Sequence, residues 1–149
     1  INVKGVLNGC QAAARVMKAQ GKGVIVNVSS TGIDVPVPSG GLYAMSKAAV
    51  TMMTMALATE LGPLGIRVNC TAPGATITPF SSRHLYDEEG NRDEARLQDF
   101  IARMSEMAPL RMVGDALDQA YLILYLVSPA SRYATGNIFR VNGGQSMRW

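Results

Sequence analysis

Apolar and polar positions along the chain switch several times between a helical and a strand-like period, and each switch marks an element. Over residues 2–20, Val3, Val6, Leu7, Cys10, Ala13, Ala14 and Met17 recur at helical spacing, with Gly21 as the stop. Gly23-Val24-Ile25-Val26-Asn27-Val28-Ser29 is a short β-branched run suited to a strand buried on both faces. Residues 31–41 read as loop, punctuated by Gly32, Pro36, Pro38, Gly40 and Gly41. A long helix is expected from Leu42 to Leu61, closed by Gly62-Pro63, and a second strand over 66–72 ends at Pro73-Gly74. Residues 75–113 are polar and mixed with a helical piece at 92–107, after which a helix at 115–127 and a last strand at 137–141 complete the pattern.

Helix, strand, helix, strand, helices, strand is the alternation of an α/β fold with a parallel sheet. Three strands are few for a doubly wound sheet, so the strand at 24–29 is expected to lack a neighbour on one side. The helix at 42–61 is apolar almost all round, with Met45, Ala48, Ala49, Val50, Met52, Met53, Met55, Ala56, Leu57 and Ala58. Such a helix is covered on more than one face. The sheet supplies one cover, and a second subunit or another helix of the same chain supplies the other. The expectation is a homodimer or homotetramer. The chain opens on Ile1 and runs directly into a helical pattern, which reads as a start inside a domain.

Composition narrows the function classes. The 149 residues suit one domain, and 48% hydrophobic with 17% charged residues suits a packed core. Net charge is +3, but Arg67, Arg83, Arg92, Arg96, Arg103 and Arg111 are scattered rather than clustered, which argues against a nucleic-acid face. No apolar stretch reaches the length of a membrane span and no signal-peptide pattern opens the sequence, so no membrane partner is expected. Cys10 and Cys70 have no paired spacing and read as small core residues of a cytoplasmic protein. His84 is the only histidine, which leaves no His-rich metal site, and no metal is expected.

One constellation carries chemistry. Tyr43-Ala44-Met45-Ser46-Lys47 sets a phenol and an ammonium four residues apart on one helical face. A phenol ordinarily titrates near 10 and is a poor acid/base at neutral pH. A cation held at about 4 Å, at an effective dielectric near 20, favours phenolate by roughly 4 kcal/mol before desolvation. Alone, this spacing also describes a core tyrosine beside a solvated lysine. Its context is more telling: Ser30 stands thirteen residues earlier, at the carboxyl end of the first strand, where open parallel sheets bind ligands. Pro73-Gly74 ends the next strand at the same rim, with Thr76 and Thr78 just beyond. Turn capping is the plain alternative for Ser29-Ser30.

The ordered pattern N-V-S-S, Y-A-M-S-K, G-I-R-V-N-C-T-A-P-G-A-T-I-T and T-G-N-I-F-R-V-N-G-G resembles the short-chain dehydrogenase/reductase family over essentially the whole chain. The similarity is to its single-domain branch, which includes 3-oxoacyl carrier protein reductases and hydroxysteroid and sugar-alcohol dehydrogenases. The resemblance implies the C-terminal part of a Rossmann-like doubly wound parallel sheet, with residues 1–149 a partial NAD(P)-binding oxidoreductase domain. It implies a reversible hydride transfer between NAD or NADP and a carbonyl/alcohol substrate. In that scheme Tyr43 is the general acid/base, Lys47 favours its phenolate and hydrogen-bonds the nicotinamide ribose, and Ser30 polarises the substrate oxygen. Asn2 matches the family's helix asparagine and would hold a water that links Lys47 to a proton relay. Pro73, Gly74, Thr76 and Thr78 match the stretch that touches the nicotinamide end of the cofactor, although the family often has Val or Ile where Thr76 stands.

Departures matter as much. The family's glycine-rich turn, T-G-x-x-x-G-x-G, and its N-N-A-G stretch are absent, and Gly21-Lys22-Gly23 and Gly40-Gly41 lack the strand-turn-helix setting that receives a pyrophosphate. The residue that chooses between NAD and NADP is not found either, so cofactor preference is not readable. Phe80, His84, Leu85, Tyr86, Phe100, Met104, Met107 and Leu110 fall in the family's substrate loop, where amphipathicity explains them as well as an apolar site does. The competing function class is a truncated, non-catalytic fragment that dimerises through its apolar helices. The extended branch of epimerases and dehydratases ranks lower, because it carries a longer region after the final glycines.

Overall fold

The computed structural model describes residues 1–36, 38–78, 81, 85, 86, 90, 91 and 93–148. Helix α1 spans Lys4–Gln20, strand β1 Gly23–Val28, helix α2 Gly41–Leu61 and strand β2 Ile66–Thr71. Helix α3 spans Glu94–Glu106, helix α4 Ala116–Val127 and strand β3 Ile138–Phe139. The sheet is parallel in the order β1-β2-β3, with Gly23 opposite Ile66 through Val28 opposite Thr71, and Cys70 and Thr71 opposite Ile138 and Phe139. Among the described residues β1 has no strand on its other side, as its pattern suggested.

The central strand explains the layering. Ile66, Val68 and Cys70 alternate with Arg67, Asn69 and Thr71, and all but Arg67 are fully buried. The first set packs with Ile25, Cys10 and Ala58 against α1 and α2, supported by Val6, Ala13, Met17, Leu57 and Leu61. The second set faces the α4 side and is polar, so each member needs a partner. Arg67 donates to the carbonyls of Ala134 (3.2 Å) and Leu126 (2.9 Å). Asn69 donates to Ala134 O at 2.8 Å and accepts from Asn137 N at 3.1 Å, while Thr71 donates to Gln119 Oε1 at 2.9 Å. Both cysteines are free and buried, and burial pushes each thiol up from its ordinary value.

Helix α2 stops at Leu61, before Gly62-Pro63, as the sequence reading has it; the chain then makes a 3-10 turn over Gly62–Leu64 and reverses at Gly65, at φ +75°. A β-carbon there would collide with the carbonyl of Gly21, so only glycine fits. The last strand is two residues rather than five, because Arg140 turns out of the ladder to bind Asp34.

That contact ties the loop after β1 to the segment after β3. Arg140 donates Nε to Asp34 Oδ2 at 2.7 Å and Nη2 to Oδ1 at 3.2 Å, and Ser146 Oγ donates to Oδ2 at 2.5 Å. The Arg140 hydrogen bond, set against burial and joined by Ser146, holds the Asp34 carboxyl below the usual carboxylate range. A depressed folded value means the stabilisation is present above the unfolded value of about 3.9 and is lost as pH falls through the folded value. Wild-type protein should therefore melt above Asp34→Asn at pH 6, and the gap should close on acidification below about pH 4. A gap in thermal melts that does not change with pH would remove the charge from this account.

Candidate active site

The site is assembled where β1 and β2 end. Ser29 is buried, and its hydroxyl donates to the Lys47 carbonyl at 3.0 Å while lying 2.8 Å from Thr51 Oγ1. Two residues earlier on the same strand face, Asn27 donates Nδ2 to Thr54 Oγ1 at 2.9 Å and accepts the weak Cys10 thiol bond at 3.4 Å. Thr54 in turn donates to Val50 O at 2.9 Å, and Thr51 donates to Lys47 O at 3.0 Å. This buried polar seam fixes where α2 lies along β1. The first turns of α2 consequently overhang the carboxyl end of the strand.

Tyr43 and Lys47 project from those turns. Lys47 Nζ donates to Val28 O at 3.0 Å and stands 5.7 Å from the centroid of the Tyr43 ring, within cation–π range, at the exposed rim of the sheet. Tyr43 is 37% exposed. Ser30, in extended backbone at φ −167°, caps the 3-10 turn Thr31–Ile33 by accepting from Gly32 N at 3.1 Å. The capping role is thus real, and it uses the oxygen's lone pair while leaving the hydroxyl hydrogen to donate. A β-carbon on Gly32 would meet Ser30 Oγ at 3.5 Å and Tyr43 Cε1 at 3.6 Å, so the two side chains flank one small space.

A cleft of about 540 Å³ runs past these groups, and Asn2, Ser30, Tyr43, Lys47, Pro73, Gly74, Thr76 and Thr78 all line it. All eight sequence-predicted site residues therefore meet in one place. Asn2 sits in the exposed turn before α1, one residue outside the N-cap Val3. At the strand β2 end, Gly74 is gripped: a β-carbon would fall 2.5 Å from Gln145 Oε1 and 2.7 Å from Asn142 Cβ. Gln145 Oε1 accepts from Ala75 N at 2.8 Å, which fixes the turn. Thr76 donates its hydroxyl to Gly74 O at 3.1 Å, and Thr78 Oγ1 pairs with Ser81 Oγ at 3.2 Å. Both hydroxyls have partners inside the loop, and Ser81 Oγ also donates to Thr76 O at 2.6 Å and accepts from Thr78 N at 2.9 Å, so side chains and main chain together brace this turn.

Residues that sequence reading passed over help complete the walls. Gln119 of α4 joins Thr71 to Val141 O (2.7 Å), and with Ser81 and Ala116 it lines the cleft beside Phe100. A side pocket of about 270 Å³ shares Ser30, Tyr43, Gly74, Ala75 and Phe100 with the cleft and continues past Val35, Met104, Met107 and Gln145. Of the substrate-loop candidates, Phe100, Met104 and Met107 take part. Leu110 lines a separate small pocket, Leu85 is buried, Tyr86 is exposed, and Phe80 and His84 lie outside the described residues. Among the described residues no helix is long and apolar enough to cross a membrane, and no group of three or more His, Cys, Asp or Glu could hold a metal.

A parallel α/β sheet with a cleft at its carboxyl edge, lined by Tyr and Lys from one helix, defines a class that sequence and structure comparisons make specific. The family profile described as enoyl-(acyl carrier protein) reductase matches residues 1–146. A 3alpha-hydroxysteroid dehydrogenase of Mediterraneibacter gnavus is 43% identical over 143 residues, 96% of this chain and 52% of that protein. Xanthoxin dehydrogenase of Arabidopsis thaliana is 37% identical over 97% of this chain and 50% of its own length. Among solved structures, a gluconate 5-dehydrogenase from Burkholderia cenocepacia in complex with NADP and tartrate superposes with a TM-score of 0.85 at 30% identity, covering 97% of this chain and 53% of that one. A 7 alpha-hydroxysteroid dehydrogenase complexed with NADH and 7-oxo glycochenodeoxycholic acid gives 0.83 at 31% identity, covering 99% and 55%. The chain belongs to the short-chain dehydrogenase/reductase family. It spans about half the length of the curated relatives it matches.

The seam beneath the site makes a checkable claim. Thr54→Val keeps the shape of the side chain but leaves the buried Asn27 amide without its acceptor. Unfolding stability should fall by about 1–3 kcal/mol. A urea midpoint unmoved by the substitution would show that the Asn27–Thr54 pair does not hold α2 in place.

Proposed function

We propose that the polypeptide containing this chain is a nicotinamide-dependent oxidoreductase that interconverts a carbonyl and an alcohol, with Tyr43 as general acid/base. The observation that carries the reading is the convergence of Asn2, Ser30, Tyr43 and Lys47, from three separate elements, on one cleft at the carboxyl edge of the sheet. Ligand binding at that edge is the general rule for open α/β sheets.

The residues fit the nicotinamide end of such a coenzyme. Lys47 offers a cation on the cleft wall, and the Gly74 turn, held from behind by Gln145 and Asn142, lines the same cleft. Bound there, NAD or NADP would accept or supply the hydride. Around it, Ser30 donates its free hydroxyl hydrogen to the substrate oxygen and turns the reacting carbon toward the coenzyme. Tyr43 gives its phenol proton to that oxygen in reduction and takes it back in oxidation. Lys47, its ammonium 5.7 Å from the centroid of the Tyr43 ring, would hold the ribose hydroxyls. Asn2, at the mouth of the cleft, holds a water through which Tyr43 and Lys47 exchange protons with solvent. Pro73, Gly74, Thr76 and Thr78 contact the nicotinamide, chiefly through main chain.

Residues 1–149 are then a partial NAD(P)-binding Rossmann-like domain, a reading supported by the coverage of about half of each relative. Relatives crystallised with NADP and with NADH support either coenzyme. A homodimer or homotetramer is supported by the exposed Leu42, Met45 and Met52 of α2, and a cytoplasmic setting by the two free thiols. The same exposed apolar residues favour a second reading, a non-catalytic dimerising fragment. Saturable binding of NADH or NADPH to the purified 149-residue chain would count against it.

In the polypeptide that contains residues 1–149, Tyr43→Phe should lower turnover by roughly 10²- to 10⁴-fold with coenzyme affinity retained. Near-normal activity would end the acid/base role. Lys47→Ala should reduce both turnover and coenzyme affinity; steady-state kinetics and coenzyme titration showing neither loss would remove Lys47 from the mechanism.

A further inference from the structure

One carboxylate outside the proton-transfer machinery ties the loop that forms one wall of the side pocket to the segment that carries Gln145 of another. Asp34 follows the turn capped by Ser30, in the loop that leads to Tyr43, and its side chain is only 9% exposed. Arg140 grips it with two parallel N–H groups, and a third, Nη1, donates to Ile138 O at 3.2 Å, so the guanidinium is itself anchored on β3. Ser146 adds its hydroxyl to the same carboxylate oxygen. Arg148 donates Nη2 to the Asp34 main-chain carbonyl at 3.0 Å, with Nε 4.0 Å from Oδ1.

The pocket these contacts frame is the one beside Ser30 and Tyr43. Thr31, Gly32, Val35 and Gly40 supply one wall from the Asp34 loop, and Gln145, next to Ser146, supplies the other. The Gln145 amide is spent on main chain, accepting from Ala75 N and donating to Met104 O at 3.2 Å, so it braces the wall. Exposed ion pairs contribute little, but a shielded carboxylate held by a bidentate fork and a hydroxyl strands its partners when removed. Its loss would release the loop that Tyr43 and Ser30 bracket without touching either.

We propose that Asp34 is a positioning residue for substrate recognition: by fastening loop 31–40 to segment 140–148 it sets the width of the side pocket that receives the body of the carbonyl substrate. The proposal rests on the reading of the cleft as a carbonyl/alcohol site. Asp34 itself touches neither Lys47 nor the Pro73–Thr78 turn, but the loop and segment it joins do hold that turn, through Thr31 N to Pro73 O, Ala75 N to Gln145 Oε1 and Gly74 N to Val141 O. Coenzyme affinity is therefore the readout that tells a change of pocket width from a loosened coenzyme turn.

The test combines kinetics with amide hydrogen exchange in the polypeptide containing residues 1–149. Asp34→Asn and Arg140→Gln should each raise KM for the carbonyl substrate by about tenfold, with kcat and coenzyme Kd within about twofold of wild type. Ser146→Ala, a milder change that serves if the others fail to fold, should shift KM the same way by a smaller factor. The Asp34→Asn/Arg140→Gln double variant should be no worse than the worse single one, because both remove one contact. Exchange at Thr31, Ile33 and Val35, whose amides bond to Pro73 O, Ser30 O and Thr31 O, should speed up in Asp34→Asn. Equal losses in kcat, KM and coenzyme affinity, or additive double-variant losses, would overturn the positioning role. Unchanged exchange would overturn the clamp whatever the kinetics. Absence of turnover in the unmutated protein would instead overturn the functional reading, and the exchange result would still decide whether the clamp exists.

Discussion

The site depends on a buried polar seam between one strand and one helix. Asn27 and Ser29 share a face of β1 and meet Thr54, Thr51 and the Lys47 carbonyl on α2. Apolar contacts alone would not set that helix. Its methionines are flexible and adapt to many packings, and a slide of one turn, about 5.4 Å, would still find hydrophobic partners. It would not find acceptors for the Asn27 amide or the Ser29 hydroxyl, and stranding such groups in the interior is costly. Among the described residues no buried side-chain polar atom goes without a partner. The polar pairs therefore select the one placement in which Tyr43 and Lys47 reach the strand's end.

The sheet divides its labour by face. Toward α1 and α2 it is mostly apolar and supplies the core, with the Asn27–Ser29 seam at one end; toward α4 the central strand is polar and grips the main chain at the end of α4 and at Ala134. Thr71, on that polar face, passes its position to Gln119, which reaches across to Val141. The floor of the cleft is thereby tied to the same strand that carries Pro73 and Gly74 on its next residues. A ligand there would meet a rim held from both sides of the sheet.

Much of this was legible in the sequence, because periodicity reports burial. Each of the seven described helices and strands answers to an element read from the residue pattern, the last strand being shorter, and the ordered spacing of Ser30, Tyr43, Lys47 and Pro73-Gly74 places them on one rim. What failed to show were features set by pairs distant in sequence. Gly62-Pro63 does close the helix, but nothing local marks the chain reversal at Gly65, which answers to its contact with Gly21. Ser29 reads as a turn residue like Ser30, although strand alternation with Asn27 was the available clue that it points inward. The strand after residue 136 looks longer than it is, since nothing local announces that Arg140 leaves it for a carboxylate 106 residues earlier. Gln119 and Gln145 have no period at all; their roles appear only when the walls are assembled.

The tie between Asp34 and residues 140–148 also imposes an order in time. Synthesis delivers Ser30, Tyr43 and Lys47 well before Arg140 and Ser146 leave the ribosome, and at roughly 5–20 residues per second the interval is several seconds or more. During that interval the loop carrying Asp34 has nothing to close on, and its charged group stays hydrated. The nascent chain can build its helices and the β1–β2 pair, but the pocket beside the tyrosine takes its final width only when residues 140–148 arrive. A later-made segment thus acts as the fastener of an earlier-made wall.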